Sequence, residues 1–463
     1  MTSSLPAEIF KAYDIRGIVD KTLTPAIVQT IGQALGTLAL ERQCRAIAVG
    51  RDGRLSGPAL SAALIDGIRA SGVDVIDLGQ VATPMTYFAA HQLNTGCSVM
   101  ITGSHNPPDY NGLKMVIAGE TLSGPAIQAL RERIERNDLC TATVPGSLKE
   151  HDIAPAYLDR IIGDIRLQRP LHIVVDAGNG IAGAFAPTMY ERLGCKVTPL
   201  FCDVDGTFPN HHPDPSQPKN LKTLIERVQQ ENAELGLAFD GDGDRLGVVT
   251  REGNIIYPDR QLMLFAADVL NRVPGATVIY DIKSTRLLKP WIHRHGGVSL
   301  MWKTGHSLIK AKMKETGAQL AGEMSGHTFF GERWYGFDDG LYAGARLLEI
   351  LSQHADASAV LNALPDSVST PELALACERE GEQHALIALL QKEADFADAE
   401  EIIRIDGVRV EYADGFGLAR ASNTTPTVVL RFEADNEAAL KRIQSDFREQ
   451  LRAIVPDSVA LPF

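Results

Sequence analysis

The sequence predicts an α/β chain of several domains, three of them related and a smaller α+β domain at the C-terminus. Three observations predict it. Short β-branched runs recur, each followed by a Gly- or Asp-containing turn, an amphipathic stretch and another run, which is the signature of βαβ units. About the last hundred residues change character and read as antiparallel strands followed by a charged helix. The length, 463 residues, leaves room for roughly three domains at about 150 residues each, with two or four also reasonable.

The first βαβ unit runs from RAIAVGRD at 45–52 through the helical pattern PALSAALIDGIRASG to the strand VDVIDLG. The second starts at LHIVVDAGNG, 171–180, continues as a helix to about Leu193 and ends in CKVTPLF. The third takes ATVIYDIKST, 276–285, then LLKPWIHRHG and VSLMWKTG. Identities between the three are weak, so the repetition is architectural. Beyond them IIRIDGVRVEY, GFGLARAS and PTVVLRFEA read as antiparallel strands, and NEAALKRIQSDFREQL as a helix. Polar or turn-rich sites near 149, 252 and 364 divide the chain into 1–149, 150–252, 253–364 and 365–463.

Charge and composition exclude several function classes. There are 45 Lys and Arg against 58 Asp and Glu, a formal net charge of −13, so the chain lacks the basic field that nucleic acid needs. An anionic substrate must find local positive charge. The six cysteines form no CxxC pair and no dense framework, as expected of reduced thiols in a cytoplasm. No basic-then-apolar leader and no apolar run of spanning length occurs, so neither export nor a membrane is expected.

Four segments carry chemistry. In CSVMITGSHNPPDYNGLKMV, 97–116, an apolar strand ends in a polar, Pro-bounded loop that puts Ser104 at a strand's carboxyl end, where α/β sheets bind ligands. The surroundings do not match the G-x-S-x-G of serine hydrolases. In ELGLAFDGDGDRLGVVT, 234–250, Asp240, Asp242 and Asp244 alternate with glycines between apolar strands. Three carboxylates aimed at one point need a cation, and oxygen ligands suit a hard one such as Mg²⁺. A calcium loop counted from Asp240 would need Gly where Arg245 stands and Glu where Arg251 stands, so an EF-hand is excluded. Arg245 adjoins the triad and can neutralise charge on a phosphoryl group in transfer.

In QLAGEMSGHTFF, 319–330, Glu323, Ser325 and His327 alternate after another apolar run. The first two suit vicinal sugar hydroxyls and the histidine suits proton transfer. KTGHS, 303–307, adds Lys303 and His306. In RASNTTPT, 420–427, Arg420 offers a bidentate fork, and Ser422, Asn423, Thr424 and Thr425 add donors that together can grip a phosphate.

In this order and spacing the four segments resemble the α-D-phosphohexomutase superfamily over essentially the whole chain. TGSHNP, DGDGDR, GEMSGH and RASNTTP are most similar to its bacterial phosphomannomutase/phosphoglucomutase group. The resemblance implies four domains around a central cleft, the last able to rotate. It implies a phosphorylated Ser104, Mg²⁺ held by Ser104, Asp240, Asp242 and Asp244, sugar contacts from Glu323 and Ser325, and phosphate contacts from Arg420, Ser422, Asn423 and Thr424. KAYDIRG matches a further family motif and brings Tyr13 and Arg16 to the cleft, while Lys114, Arg245, Lys283, His306 and His327 match other cleft positions.

The implied reaction moves a phosphoryl group between the ends of a hexose phosphate, glucose or mannose, through a bound hexose 1,6-bisphosphate that also serves as activator. Lys114 and His327 are both candidates for the general base. The rivals are a phosphoglucosamine mutase, against which Met324 argues because that group typically has Gln there, and a metal-dependent sugar phosphatase. A cytoplasmic monomer acting on small hexose phosphates, without nucleic acid or membrane partners, is expected.

Overall fold

The computed structural model describes residues 5–379, 381–423, 425–456 and 459–463. Each βαβ unit forms around a strand whose residues are buried on both faces, as the continuous apolar runs require. His172–Asp176 and Leu235–Phe239 are almost wholly buried, which only a sheet covered by helices on both sides permits.

The three α/β sheets share one four-strand plan. In the first, Asp74–Gln80, Ala46–Arg51 and Ser98–Ile101 run parallel and Tyr110–Ile117 returns antiparallel. In the second, Lys196–Leu200, His172–Asp176 and Leu235–Phe239 are parallel and Leu246–Thr250 is antiparallel. In the third the same places are taken by Val298–Trp302, Thr277–Asp281, Leu320–Gly322 and the returning Thr328–Phe330. The Ser104, Asp240–Asp244 and Glu323 loops are therefore the same hairpin of the same plan, each at the carboxyl end of its third parallel strand. Ile15–Ile18 and Leu148–Glu150 extend the first sheet, and Ile255–Ile256 extends the second.

One apolar core runs through all three units. Phe88, Tyr157, Trp334 and Tyr342 interlock in it, with Trp334 stacked on Tyr342 at 4.1 Å between ring centroids. The helix Gly340–Leu351, capped by Asp339 accepting from the Tyr342 N–H, is buried along its whole length.

The C-terminal part is an antiparallel sheet, built chiefly of Thr427–Ala434, Gly415–Ala421, Val408–Tyr412 and Glu401–Ile403, with helices Glu382–Glu393 and Glu437–Arg452 and a core of its own. IIRIDGVRVEY is two strands rather than one, because Asp406-Gly407 turns the chain with Gly407 at φ +96°. This domain meets the third through a small apolar contact, Ile282 with Phe416 and Leu418, and through polar groups. Arg409 Nη1 donates to the carbonyls of Ile282 and Ser284, both at 2.6 Å, and Thr285 donates to Glu433 at 2.7 Å.

Candidate active site

The three hairpin loops converge. Ser104 is 2 % exposed and holds φ +48°, the left-handed region that an L-residue occupies at a cost of about 1–3 kcal/mol. Its hydroxyl donates to Asp240 Oδ2 at 3.1 Å and lies 3.2 Å from His105 Nδ1. Oxygens of Asp240, Asp242 and Asp244 lie within 4.8 Å of one another, fully buried. The alternating glycines let the two loops touch: a Cβ on Gly241 would stand 2.4 Å from the Ser104 carbonyl oxygen.

The electrostatics of the triad call for a cation. Burial raises the Asp240 carboxyl well above its ordinary range and the charges of Asp242 and Asp244 add to this; burial and Asp242 likewise raise Asp244. Burial also pushes Asp242 upward, but the Lys114 ammonium at 2.7 Å and the Thr83 hydroxyl at 2.5 Å outweigh it and hold that carboxyl below its usual value. Lys114 also pairs with Asp244. Burial works against its ammonium, yet Asp242 and Asp244 raise its pKa and keep it protonated. The Lys114 ammonium and the Arg245 guanidinium do not pair every oxygen of the three carboxylates: Asp242 Oδ1 and Asp244 Oδ1 are buried without a hydrogen-bond partner. Unpaired hard oxygens at this spacing fit a divalent metal ion.

Arg245 and His327 flank the triad. Arg245 Nε donates to His327 Nε2 at 3.1 Å and lies 3.5 Å from Asp240 Oδ2. His327 Nδ1 lies 3.1 Å from Asp338 Oδ2. Arg16 Nη1 donates to Asn106 of the serine loop at 2.9 Å, and Arg16 also pairs with Asp14.

A cleft of about 620 Å³ opens above this centre and reaches the C-terminal domain. Its lining includes Tyr13, Arg245, Lys283, His306, Glu323, Ser325, His327, Arg420, Ser422 and Asn423, while Ser104, the triad, Lys114 and Arg16 lie outside the lining. Glu323 Oε1 accepts from the Gly305 N–H at 2.5 Å and Oε2 has no partner. Burial, with the Lys310 ammonium, holds the His306 imidazole well below its usual value, so it is neutral. Lys303 is exposed and outside the lining, contrary to its sequence reading. Thr424 lies outside the described residues.

At the far end Asn423 donates to the Tyr13 hydroxyl, which donates to the Thr304 carbonyl at 2.6 Å. The two cations there already hold carboxylates: Arg420 Nε pairs with Asp406 at 3.1 Å and Lys283 with Glu372 at 2.6 Å.

Sequence reasoning missed several of these groups. Thr83, Asp338, Asp406, Glu372, Asp52 and Arg54 all bond to the site residues or their loops, and Lys310 pairs with Asp338 behind them. Only Asp52 and Arg54 carried a signal, a charged pair directly after the first apolar strand at its carboxyl end.

Four family models match the chain in order: the phosphoglucomutase/phosphomannomutase alpha/beta/alpha domains I, II and III at residues 7–140, 155–253 and 257–368, and the C-terminal domain at 372–450. A phosphoglucomutase of Neisseria meningitidis is 60 % identical over 446 residues, 96 % of this chain and 97 % of that one. A phosphomannomutase/phosphoglucomutase of Pseudomonas aeruginosa is 58 % identical over 461 residues, 99 % and 98 % of the two chains. The crystal structure of a phosphoglucomutase/phosphomannomutase family protein from Burkholderia thailandensis superposes with a TM-score of 0.93 at 57 % identity, covering 98 % of this chain and 99 % of that one.

Proposed function

The chain belongs to the phosphoglucomutase/phosphomannomutase family, and from that premise and the geometry of the cleft we propose that it interconverts hexose 1-phosphates and 6-phosphates, of glucose and mannose, by carrying the phosphoryl group on Ser104. It is an isomerase of the phosphomutase type. The observation that carries the assignment to Ser104 is its 3.1 Å contact with Asp240, as a buried hydroxyl on a left-handed backbone beside three carboxylates.

Phosphoserine 104 gives its phosphoryl group to the free hydroxyl of the bound sugar phosphate, forming an O–P bond to the sugar as the bond to Ser104 breaks. The resulting hexose 1,6-bisphosphate reverses in the cleft, and its other phosphoryl group returns to Ser104. Asp240, Asp242 and Asp244 would hold a divalent cation such as Mg²⁺, which would supply charge neutralisation to the group in transfer. Arg245 and Arg16 steady that group from the side. Arg420, Ser422 and Asn423 hold the phosphate that is not moving, with Lys283, and Glu323 and Ser325 meet the sugar hydroxyls. His327 and Lys114 are the two candidates for proton transfer: His327 Nε2 accepts from Arg245 Nε at 3.1 Å, and Lys114 donates to Asp242 and pairs with Asp244. Tyr13 and His306 shape the wall between the two ends.

The reading takes the enzyme as a cytoplasmic monomer. The six cysteines are free, and among the described residues no helix is long and apolar enough to cross a membrane.

Two measurements test it. Incubation with glucose 1,6-bisphosphate adds one phosphoryl group to the intact mass, and Ser104→Ala abolishes the gain. With a catalytic amount of that bisphosphate present, glucose 1-phosphate and mannose 1-phosphate turn over faster than glucosamine 1-phosphate. Dominant turnover of the amino sugar, or release of free phosphate without isomerisation, overturns the proposal.

A further inference from the structure

We infer that Arg54 is a positioning residue for Ser104: its guanidinium, clamped on four carbonyls of the serine loop, holds the nucleophile on its left-handed backbone. The inference rests on Ser104 being the phosphoryl carrier.

Arg54 follows the first central strand, Ala46–Arg51, and its side chain is fully buried. Nη1 donates to the carbonyls of Pro107 and Tyr110 at 2.6 and 3.0 Å; Nη2 donates to those of Ser104 and Asn106 at 2.8 and 2.6 Å. A planar fork with five N–H groups can make such a set, and a lysine ammonium with three cannot.

Asp52 completes the clamp. It lies 3.3 Å from Arg54 Nε, accepts from the Arg54 N–H at 3.0 Å and accepts from the Thr102 hydroxyl at 2.8 Å. That hydroxyl oxygen accepts from the Ser104 N–H at 2.7 Å. Both backbone groups of Ser104 are thus held, the carbonyl by Arg54 and the N–H through Thr102 by Asp52.

Two further features tie the clamp to the serine rather than to folding at large. Residues 102–109 contribute nothing to the apolar cores, so hydrogen bonds determine the loop's shape. Gly103 lies flat against the guanidinium, where a Cβ would stand 2.2 Å from Arg54 Cζ. A left-handed serine persists only where its surroundings over-determine it. Phe208, from the second unit, covers the guanidinium with its ring centroid 5.2 Å from Cζ.

The sugar and distal phosphate contacts come from other loops, so loosening the clamp should slow transfer and spare binding. A displacement of the nucleophile by about 1 Å costs on the order of 10²-fold in rate. In Arg54→Lys, kcat and the single-turnover rate of Ser104 phosphorylation by glucose 1,6-bisphosphate should both fall by about 10²-fold, with KM for glucose 1-phosphate within about twofold of the parent. Added guanidinium should restore part of the rate to Arg54→Ala. Asp52→Asn, which keeps the fork but removes its counter-charge, should fall between the parent and Arg54→Lys, and it carries the test if the arginine variants fail to fold. A parental kcat in a folded Arg54→Lys or, where that variant does not fold, in Asp52→Asn overturns the inference. So does a proportionate loss of kcat and thermal stability that guanidinium does not relieve. If the parent itself gains no phosphate at Ser104, it is the carrier assignment that fails, whatever Arg54 does.

Discussion

The two ends of the cleft are built on opposite plans. The serine, the acidic triad and the sugar loop come from equivalent hairpins of three sheets that share one apolar core. The distal turn belongs to a domain with its own core, joined by a small apolar contact and by Arg409 on two carbonyls. An apolar core cannot part without exposing its surface to water. Hydrogen bonds exchange with water at a net cost of only about 0.5–1.5 kcal/mol each. The comparison teaches that the reacting groups sit on a shared apolar core, while the anchor sits on a domain joined to it mainly by polar groups, the kind of joint at which relative domain motion is the default expectation.

Ser104→Ala gives the largest expected break between the two ends. Mutase activity should drop on the order of 10⁴-fold or more, while calorimetry still finds hexose phosphate bound at the distal turn; loss of binding as well would mean the two ends are one unit. Chelation of divalent ions should come next, abolishing turnover reversibly while leaving that same binding measurable. Arg420→Ala should act in the opposite sense, raising KM by about 10- to 100-fold, the worth of a charged hydrogen bond or two, with divalent-cation affinity unchanged. Parallel loss of metal binding would dissolve the division of labour.

The smallest effect probes the rigid body alone. Burial holds the Asp339 carboxyl up at about 7, against the lowering effect of the Tyr342 N–H and the Tyr157 hydroxyl. The folded chain therefore keeps a proton that the unfolded chain releases near pH 4, so this contribution to stability is full below about pH 4 and is lost as the pH rises through about 7. Melting temperatures across that range should fall with pH in the parent and flatten in Asp339→Asn; equal slopes would refute the assignment.

What the sequence disclosed was local. Alternating Asp and Gly at 240–244 announce a cation because the carboxylates are neighbours in the chain, and the βαβ runs announce their strands by unbroken apolar stretches. Groups that reach the site across the chain gave no such signal: Thr83 meets Asp242 from 159 positions away, and Glu372 meets Lys283 from 89. The hairpin at Asp406-Gly407 was hidden inside what reads as one strand, and with it the carboxylate that reaches Arg420.

That carboxylate alters what substrate binding means. With Asp406 on Arg420 and Glu372 on Lys283, the distal end rests as two closed ion pairs in a chain of net charge −13. On the proposed reading, a sugar phosphate arriving there trades places with internal anions instead of falling into an open positive field. Its affinity is then the difference between two competing partners, so the protein can let go of a doubly phosphorylated intermediate as readily as it takes one hold of it, and a carboxylate is already at hand to fill each place the phosphate leaves.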